Sequence, residues 1–194
     1  MSQVQQKVKN NNVLVAMGGN GHATLGGVRE TLTAAVVVLR EAFEDLVVSP
    51  YYQTPAFPEG SGPDFVNAAC SFRSDMAPID ILNILHGIEA TFGRKRTLRW
   101  GQRTLDLDLI AVGSQILPDL DGFAHWQSLP LESQAQHAPD RLILPHPRLQ
   151  DRPFVLVPLA DIAPEWCHPV TGQTVTQMRD AHSTADRADV RPLK

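Results

Sequence analysis

The chain has 194 residues, 43% of them hydrophobic, with 17 basic against 21 acidic side chains and two cysteines. That balance suits one globular domain able to bury its own core, and a net charge of −4 argues against a generally basic nucleic-acid binder. No apolar run approaches membrane-spanning length, and two cysteines do not make a disulfide scaffold; Cys70, in the apolar run 68–72, reads as a reduced core residue. Residues 1–12 are polar, rich in Gln and Asn, and lack the apolar core of a signal peptide. The expectation is a flexible N-terminus ahead of one domain over 13–194, in a cytoplasmic protein.

The elements follow in order. Val13–Met17 is a short apolar run ending at Gly18-Gly19, hence a strand and a turn. Val28, Leu32, Ala35, Val36, Leu39 and Phe43 recur at helical spacing. Leu46–Tyr52 is β-branched and aromatic, and Asp64–Arg73 alternates, so both predict strands. Between them Thr54–Pro63 holds three prolines and two glycines and must be a loop. Ile79, Leu82, Leu85, Ile88 and Phe92 form a second helical stripe, opened by Pro78 and closed by Gly93. A further strand begins near Leu105. The order βαββαβ is that of a ferredoxin-like α+β sandwich, an antiparallel sheet with helices on one face and here with additional C-terminal elements. The connection 113–144 is long for a loop and contains Phe123, Trp126 and several acids.

The chemistry concentrates between Arg94 and Leu109. Residues 94–103 hold five cations (Arg94, Lys95, Arg96, Arg99, Arg103) and no acid. Leu105, Leu107 and Leu109 then alternate with Asp106 and Asp108, which places both aspartates on one face of a strand. Same-face neighbours have Cα atoms about 6.5–7 Å apart. Aspartate is disfavoured in strands, and carboxylates so spaced can converge on one or two Mg²⁺ ions. The plainer reading is the solvated face of an amphipathic strand. Arg103, three residues before Asp106, can clamp phosphate oxygens with a planar guanidinium, while Trp100 offers a stacking surface. Cations on a loop are otherwise simply solvated.

Arg-Trp-Gly-Gln-Arg-Thr-Leu-Asp-Leu-Asp-Leu-Ile (99–110) resembles the signature of the 6-hydroxymethyl-7,8-dihydropterin pyrophosphokinase family of folate biosynthesis. Segments 17–20 (Met-Gly-Gly-Asn), 49–55 (Ser-Pro-Tyr-Tyr-Gln-Thr-Pro), 64–69, 144–148 (Leu-Pro-His-Pro-Arg) and 152–159 extend the resemblance in family order across roughly residues 13–165. The resemblance implies a ferredoxin-like core and transfer of pyrophosphate from ATP to the pterin hydroxymethyl group, releasing AMP. It implies two Mg²⁺ ions on Asp106 and Asp108, with Arg94 and Arg103 as catalytic cations. Glu89, Arg96, Trp100, Arg103, Leu109, Arg141, His146 and Arg152 match nucleotide-binding positions. Phe65 and Phe154 match the aromatics that sandwich the pterin, Asn67 the asparagine that reads its edge, and Thr54, Pro55, Phe57 and Trp100 further substrate contacts. Taken singly, Phe65 and Phe154 read as core aromatics, His146 as a structural histidine between prolines, and Glu89 as a surface residue pairing with the following cations.

Family members are commonly monomeric and act on small molecules, with no nucleic acid or membrane partner. The chain departs from the family at Gly19 (usually Ser), Gln102 (often Pro) and His86 (a glutamine in some relatives). Its aspartates, Arg103 and His146 are intact. No Gly-x-x-x-x-Gly-Lys-Ser/Thr loop is present, which excludes a P-loop kinase. The alternatives are a two-metal nucleotidyl transferase on the same core, an RNA-binding module, disfavoured by its central strands and charge, and a non-catalytic pterin-binding relative.

Overall fold

β1 (Asn11–Gly19) buries five consecutive residues, Val13–Met17, as a central strand with both faces covered must. The computed structural model describes residues 11–21, 26–56, 62–93, 104–130, 133 and 139–194. After β1 come α1 (Val28–Ala42), β2 (Val47–Val48), β3 (Tyr52–Thr54), β4 (Phe65–Ser74), α2 (Pro78–Thr91) and β5 (Asp106–Val112). The C-terminal part adds α3 (Leu120–Ser128), a 3-10 turn at Leu149–Asp151, α4 (Pro153–Ile162), α5 (Val175–Asp180), α6 (Thr184–Ala188) and β6 (Arg191–Pro192).

The sheet runs β5-β1-β4-β3-β6, with β2 also paired to β4, and its pairings are antiparallel. Taken together, β2 and β3 are the second strand of the expected βαββαβ unit, so the fold is the predicted ferredoxin-like one. The strand expected over Leu46–Tyr52 is interrupted at Pro50, which has no N–H to give. Val48 pairs with Cys70 but Tyr52 pairs with Asn67, so the β2–β3 stretch carries one extra residue. Ser49 repairs the ladder: its N–H donates to the Ala69 carbonyl at 2.9 Å and its hydroxyl accepts from the Ala69 N–H at 2.9 Å.

Leu105, Leu107 and Leu109 point to the first face with Val13, Val15 and Phe72, against Leu32 and Leu39 of α1 and Ile81, Leu85 and Ile88 of α2. Here the sequence reading needs correction, since Ile79 is half exposed and the buried stripe of α2 is Ile81, Leu85, Ile88 and Glu89. The true spacing follows the 3.6-residue turn, whereas a strict three-residue step drifts off the face. Cys70 lies in this core as a free thiol, pushed up to about 12 by burial.

The expectation of helices on one face is also incomplete. On the second face Leu14, Ala16, Ala69, Ile110 and Ala111 pack under Val155, Leu156 and Leu159 of α4 and Val175 and Met178 of α5. α4 crosses the strands: its N-terminal Arg152 reaches Asp108 on β5, and its Asp161 accepts a 2.6 Å hydrogen bond from Tyr52 on β3. Ten helical residues span about 15 Å, which matches three strand spacings of about 4.8 Å each. Ala16 and Ala69 let the helix approach the sheet closely.

The long connection is partly helical. Leu117 and Leu144 form an antiparallel bridge at its base, and Asp119 caps α3 by accepting from the Gly122 N–H at 2.8 Å. Phe123 is fully buried, its ring 5.6 Å from that of His168, and the Trp166 indole N–H donates to the Gly113 carbonyl at 3.0 Å. This anchoring makes the connection part of the cooperative fold. Phe123→Ala is therefore expected to lower global stability by about 3 kcal/mol, measured by urea unfolding; a loss under about 1 kcal/mol would show that α3 is a dispensable appendage.

Candidate active site

β1 fixes the site because it pairs on both sides. Ala16 stands opposite Asp108 on β5 and Ala69 on β4, and Gly18 stands opposite Asp106 and Asn67. Side chains in register share a face, and Ala16 and Ala69 lie on the second face. Asp106, Asp108, Asn67 and Phe65 therefore all face the α4 side of the sheet, with Thr54 opposite Phe65. Two strand spacings, about 10 Å, separate Asp106 from Asn67.

Gly18 sits between them, and a Cβ added there would come 2.9 Å from Asn67 Oδ1. In the sequence Gly18 is a turn signal; its other role depends on the strand next to it. Asn67 is buried, and its amide Nδ2 donates to Thr54 Oγ1 at 2.8 Å. That bond sets the amide so that its acceptor oxygen lies over Gly18. Thr54 thus contributes a side-chain hydroxyl to the site.

Asp108 Oδ2 lies 3.2 Å from the Arg152 guanidinium, which stands 5.9 Å from the centre of the Phe154 ring. Phe154 is 39% exposed on the first turn of α4, so it is not the core aromatic it would be if read alone. Phe65 keeps partial exposure on the same face, and Pro55 is exposed just past β3. His146 is tied to β5 by its N–H, which donates to the Ile110 carbonyl at 2.8 Å. Its Nδ1 accepts from the Arg148 N–H at 3.1 Å, so the neutral ring carries its proton on Nε2. Burial holds the imidazole well below its ordinary range, helped by the charges of Arg152 and Arg148 and opposed by a backbone hydrogen bond and Asp106.

Three expectations change. Glu89 is not a surface residue: it is 1% exposed, and its Oε1 accepts from the Leu107 N–H at 2.8 Å, on the outer edge of β5. Leu109 turns its side chain into the first-face core, which leaves only its backbone for a nucleotide. Arg141 projects into solvent beside Asp140 at 3.7 Å. Arg94, Arg96, Trp100, Arg103 and Phe57 lie outside the described residues.

Asp106 and Asp108 fit a divalent cation. Asp108 already holds a cationic group, and among the described residues no third His, Cys, Asp or Glu completes a cage.

The family model for 7,8-dihydro-6-hydroxymethylpterin-pyrophosphokinase matches residues 14–164. The chain belongs to this family. It is 38% identical over 167 residues to the 2-amino-4-hydroxy-6-hydroxymethyldihydropteridine pyrophosphokinase of Synechocystis sp., covering 85% of this chain and 73% of the relative. The enzyme of that name from Pseudomonas aeruginosa is 39% identical over 159 residues, covering 79% and 81%. The crystal structure of wild-type Plasmodium falciparum HPPK-DHPS superposes with a TM-score of 0.60 at 14% identity, which shows a shared fold; the alignment covers 91% of this chain and 45% of that longer one. The matched span runs from β1 through α4, so it takes in the strands and the helix that frame the site.

The state of His146 is testable without substrate. An unfolded histidine titrates near 6.5, whereas the folded ring stays neutral to lower pH, so below pH 6.5 the unfolded chain binds more protons and stability falls with pH. His146→Gln should flatten that fall by about 1 kcal/mol per pH unit between pH 6 and 5, read from urea midpoints. His168, lowered by burial with the same sign, continues to contribute. Identical slopes would mean that the His146 ring is not held neutral.

Proposed function

We propose that this pyrophosphokinase, which transfers pyrophosphate from ATP to the hydroxymethyl group of 6-hydroxymethyl-7,8-dihydropterin and releases AMP in folate biosynthesis, works on the second face of its sheet. The observation that carries the proposal is the row Asp106–Gly18–Asn67, which puts a carboxylate and a buried amide on one face of the sheet, a pairing that supports their reading as cation ligand and pterin reader.

In this reading Phe65 and Phe154 sandwich the pterin, Asn67 accepts from its edge in the orientation set by Thr54, and Pro55, Phe57 and Trp100 complete the pocket. The triphosphate lies over β5. His146 gives a hydrogen bond from Nε2 as a neutral donor, and Arg152 and Arg96 add charge-assisted ones. Arg141 and the Leu109 backbone contact the nucleotide from the periphery. Glu89 braces the aspartate strand through the Leu107 N–H.

The hydroxymethyl oxygen attacks the β-phosphorus and AMP departs. Such transfer depends on positioning and charge stabilisation. Asp106 and Asp108 would hold magnesium, as two ions, which when bound would supply Lewis acidity to the phosphates and acidify the attacking hydroxyl. Arg94 and Arg103 neutralise charge developing on the bridging and leaving oxygens. The chain acts as a monomer on two small molecules, without nucleic acid or a membrane. No helix among the described residues is long and apolar enough to cross a bilayer.

Incubation with ATP, Mg²⁺ and 6-hydroxymethyl-7,8-dihydropterin is expected to yield AMP and a diphosphorylated pterin; ADP or free pyrophosphate as products would overturn the reading. In the same assay Asp108→Asn should lower turnover at least about 100-fold, and near-normal turnover with ordinary Mg²⁺ dependence would remove Asp108 from the site. Gly18→Ala should raise the KM for the pterin about tenfold, the cost of one displaced hydrogen bond, at unchanged KM for ATP. An effect on ATP alone would place the pterin elsewhere.

A further inference from the structure

The geometry points to a second role for Arg152: it is the resident counter-ion of Asp108, and a divalent cation can claim that carboxylate only as the guanidinium leaves. The inference rests on the reading of Asp108 as a metal ligand.

The pair joins the N-terminus of α4 to β5 across 44 residues of sequence, with Nη1 at 3.2 Å from Oδ2. The partners are 29% and 39% exposed, so the contact is neither sealed in a dry interior nor fully screened. Among the described residues nothing else fastens the Arg152 side chain strongly. It makes no helix-capping hydrogen bond, and its other contact is the face of Phe154 at 5.9 Å. A guanidinium so held can swing from one anion to another while its stem stays over the ring.

A cation arriving at Asp108 in the empty enzyme must compete with a positive charge already seated on the same carboxylate. When a triphosphate is present, the guanidinium gains a stronger, bidentate anionic partner and vacates Oδ2. Metal and nucleotide binding are then coupled through one side chain, each improving the other by the same factor. The empty enzyme binds metal poorly by construction, and the cation enters together with the nucleotide.

The test is Mn²⁺ binding to the full chain without nucleotide, read from the free Mn²⁺ electron paramagnetic resonance signal. Arg152→Met keeps the stem over Phe154 and removes the charge. It should bind Mn²⁺ about tenfold more tightly than the unsubstituted protein, the effect expected of one nearby charge removed at a half-exposed site. Arg152→Lys, which keeps the charge, should show no such gain. Adding the α,β-methylene analogue of ATP, which cannot be split at that position, should abolish or reverse the advantage of Arg152→Met. Unchanged or weaker Mn²⁺ binding by Arg152→Met overturns the counter-ion role. Asp108→Asn separates this from the underlying reading: if Arg152→Met binds no more tightly but Asp108→Asn weakens Mn²⁺ binding, only the counter-ion role falls. If the double variant binds as well as Arg152→Met alone, Asp108 is not a ligand and both fall.

Discussion

The antiparallel register of β1 with its two neighbours is the constraint on which the rest of the site depends. Because side chains alternate with a period of two, a slip of one residue between β1 and β5 would turn Asp106 and Asp108 into the α1/α2 core. It would also lift Leu107 and Leu109 onto the second face. The register is held from both faces: Val13, Val15 and Met17 interlock with the first-face core, and Leu14 and Ala16 with the second. Burying an unpaired carboxylate costs several kcal/mol, so the hydrophobic pattern and the charge pattern select the same alignment. Catalytic geometry and core packing are therefore one problem with one solution.

Around that sheet, polar groups follow a division of labour. On the outer edge of β5, Glu89 takes the Leu107 N–H and the His146 N–H donates to Ile110, so an edge strand has its exposed backbone groups satisfied near the aspartates. On the face, Asp108 meets Arg152, and Asn67 meets Thr54. The edge contacts hold the strand still, and the face contacts aim the side chains. Neutral His146 belongs to both groups, since its backbone pins the strand while its ring, bonded through Nδ1, keeps a donor on the other nitrogen.

The C-terminal region makes this arrangement possible by covering only what must be covered. α4 lies over Ala16 and Ala69 and is fixed at both ends, by Arg152 on β5 and by Tyr52 on β3. Burial, with Asp161 beside it, pushes the Tyr52 phenol up to about 12, so it remains a donor throughout the ordinary pH range. The long connection after β5 packs Phe123 against His168 and is tied by Trp166 to Gly113. The two segments that have no place in a minimal βαββαβ unit thus stabilise each other.

The sequence alone determined the element order, the antiparallel sandwich and the pairing of Asp106 with Asp108, because these are local: alternation, helical spacing and turn residues act within a few positions of one another. It also carried the family signature, which brought Asn67 forward together with Phe65 and Phe154, two aromatics that read singly would have passed for core. What only the tertiary structure decided is whatever rests on partners distant in sequence. Gly18 matters because β4 sets Asn67 beside it, Glu89 is buried because β5 offers it an N–H, and Leu109 is turned away because the first-face core claims it. Arg152 meets Asp108 across 44 positions for the same reason. No periodicity within a helix or a strand encodes those meetings; they arise when register and helix crossing bring the elements together.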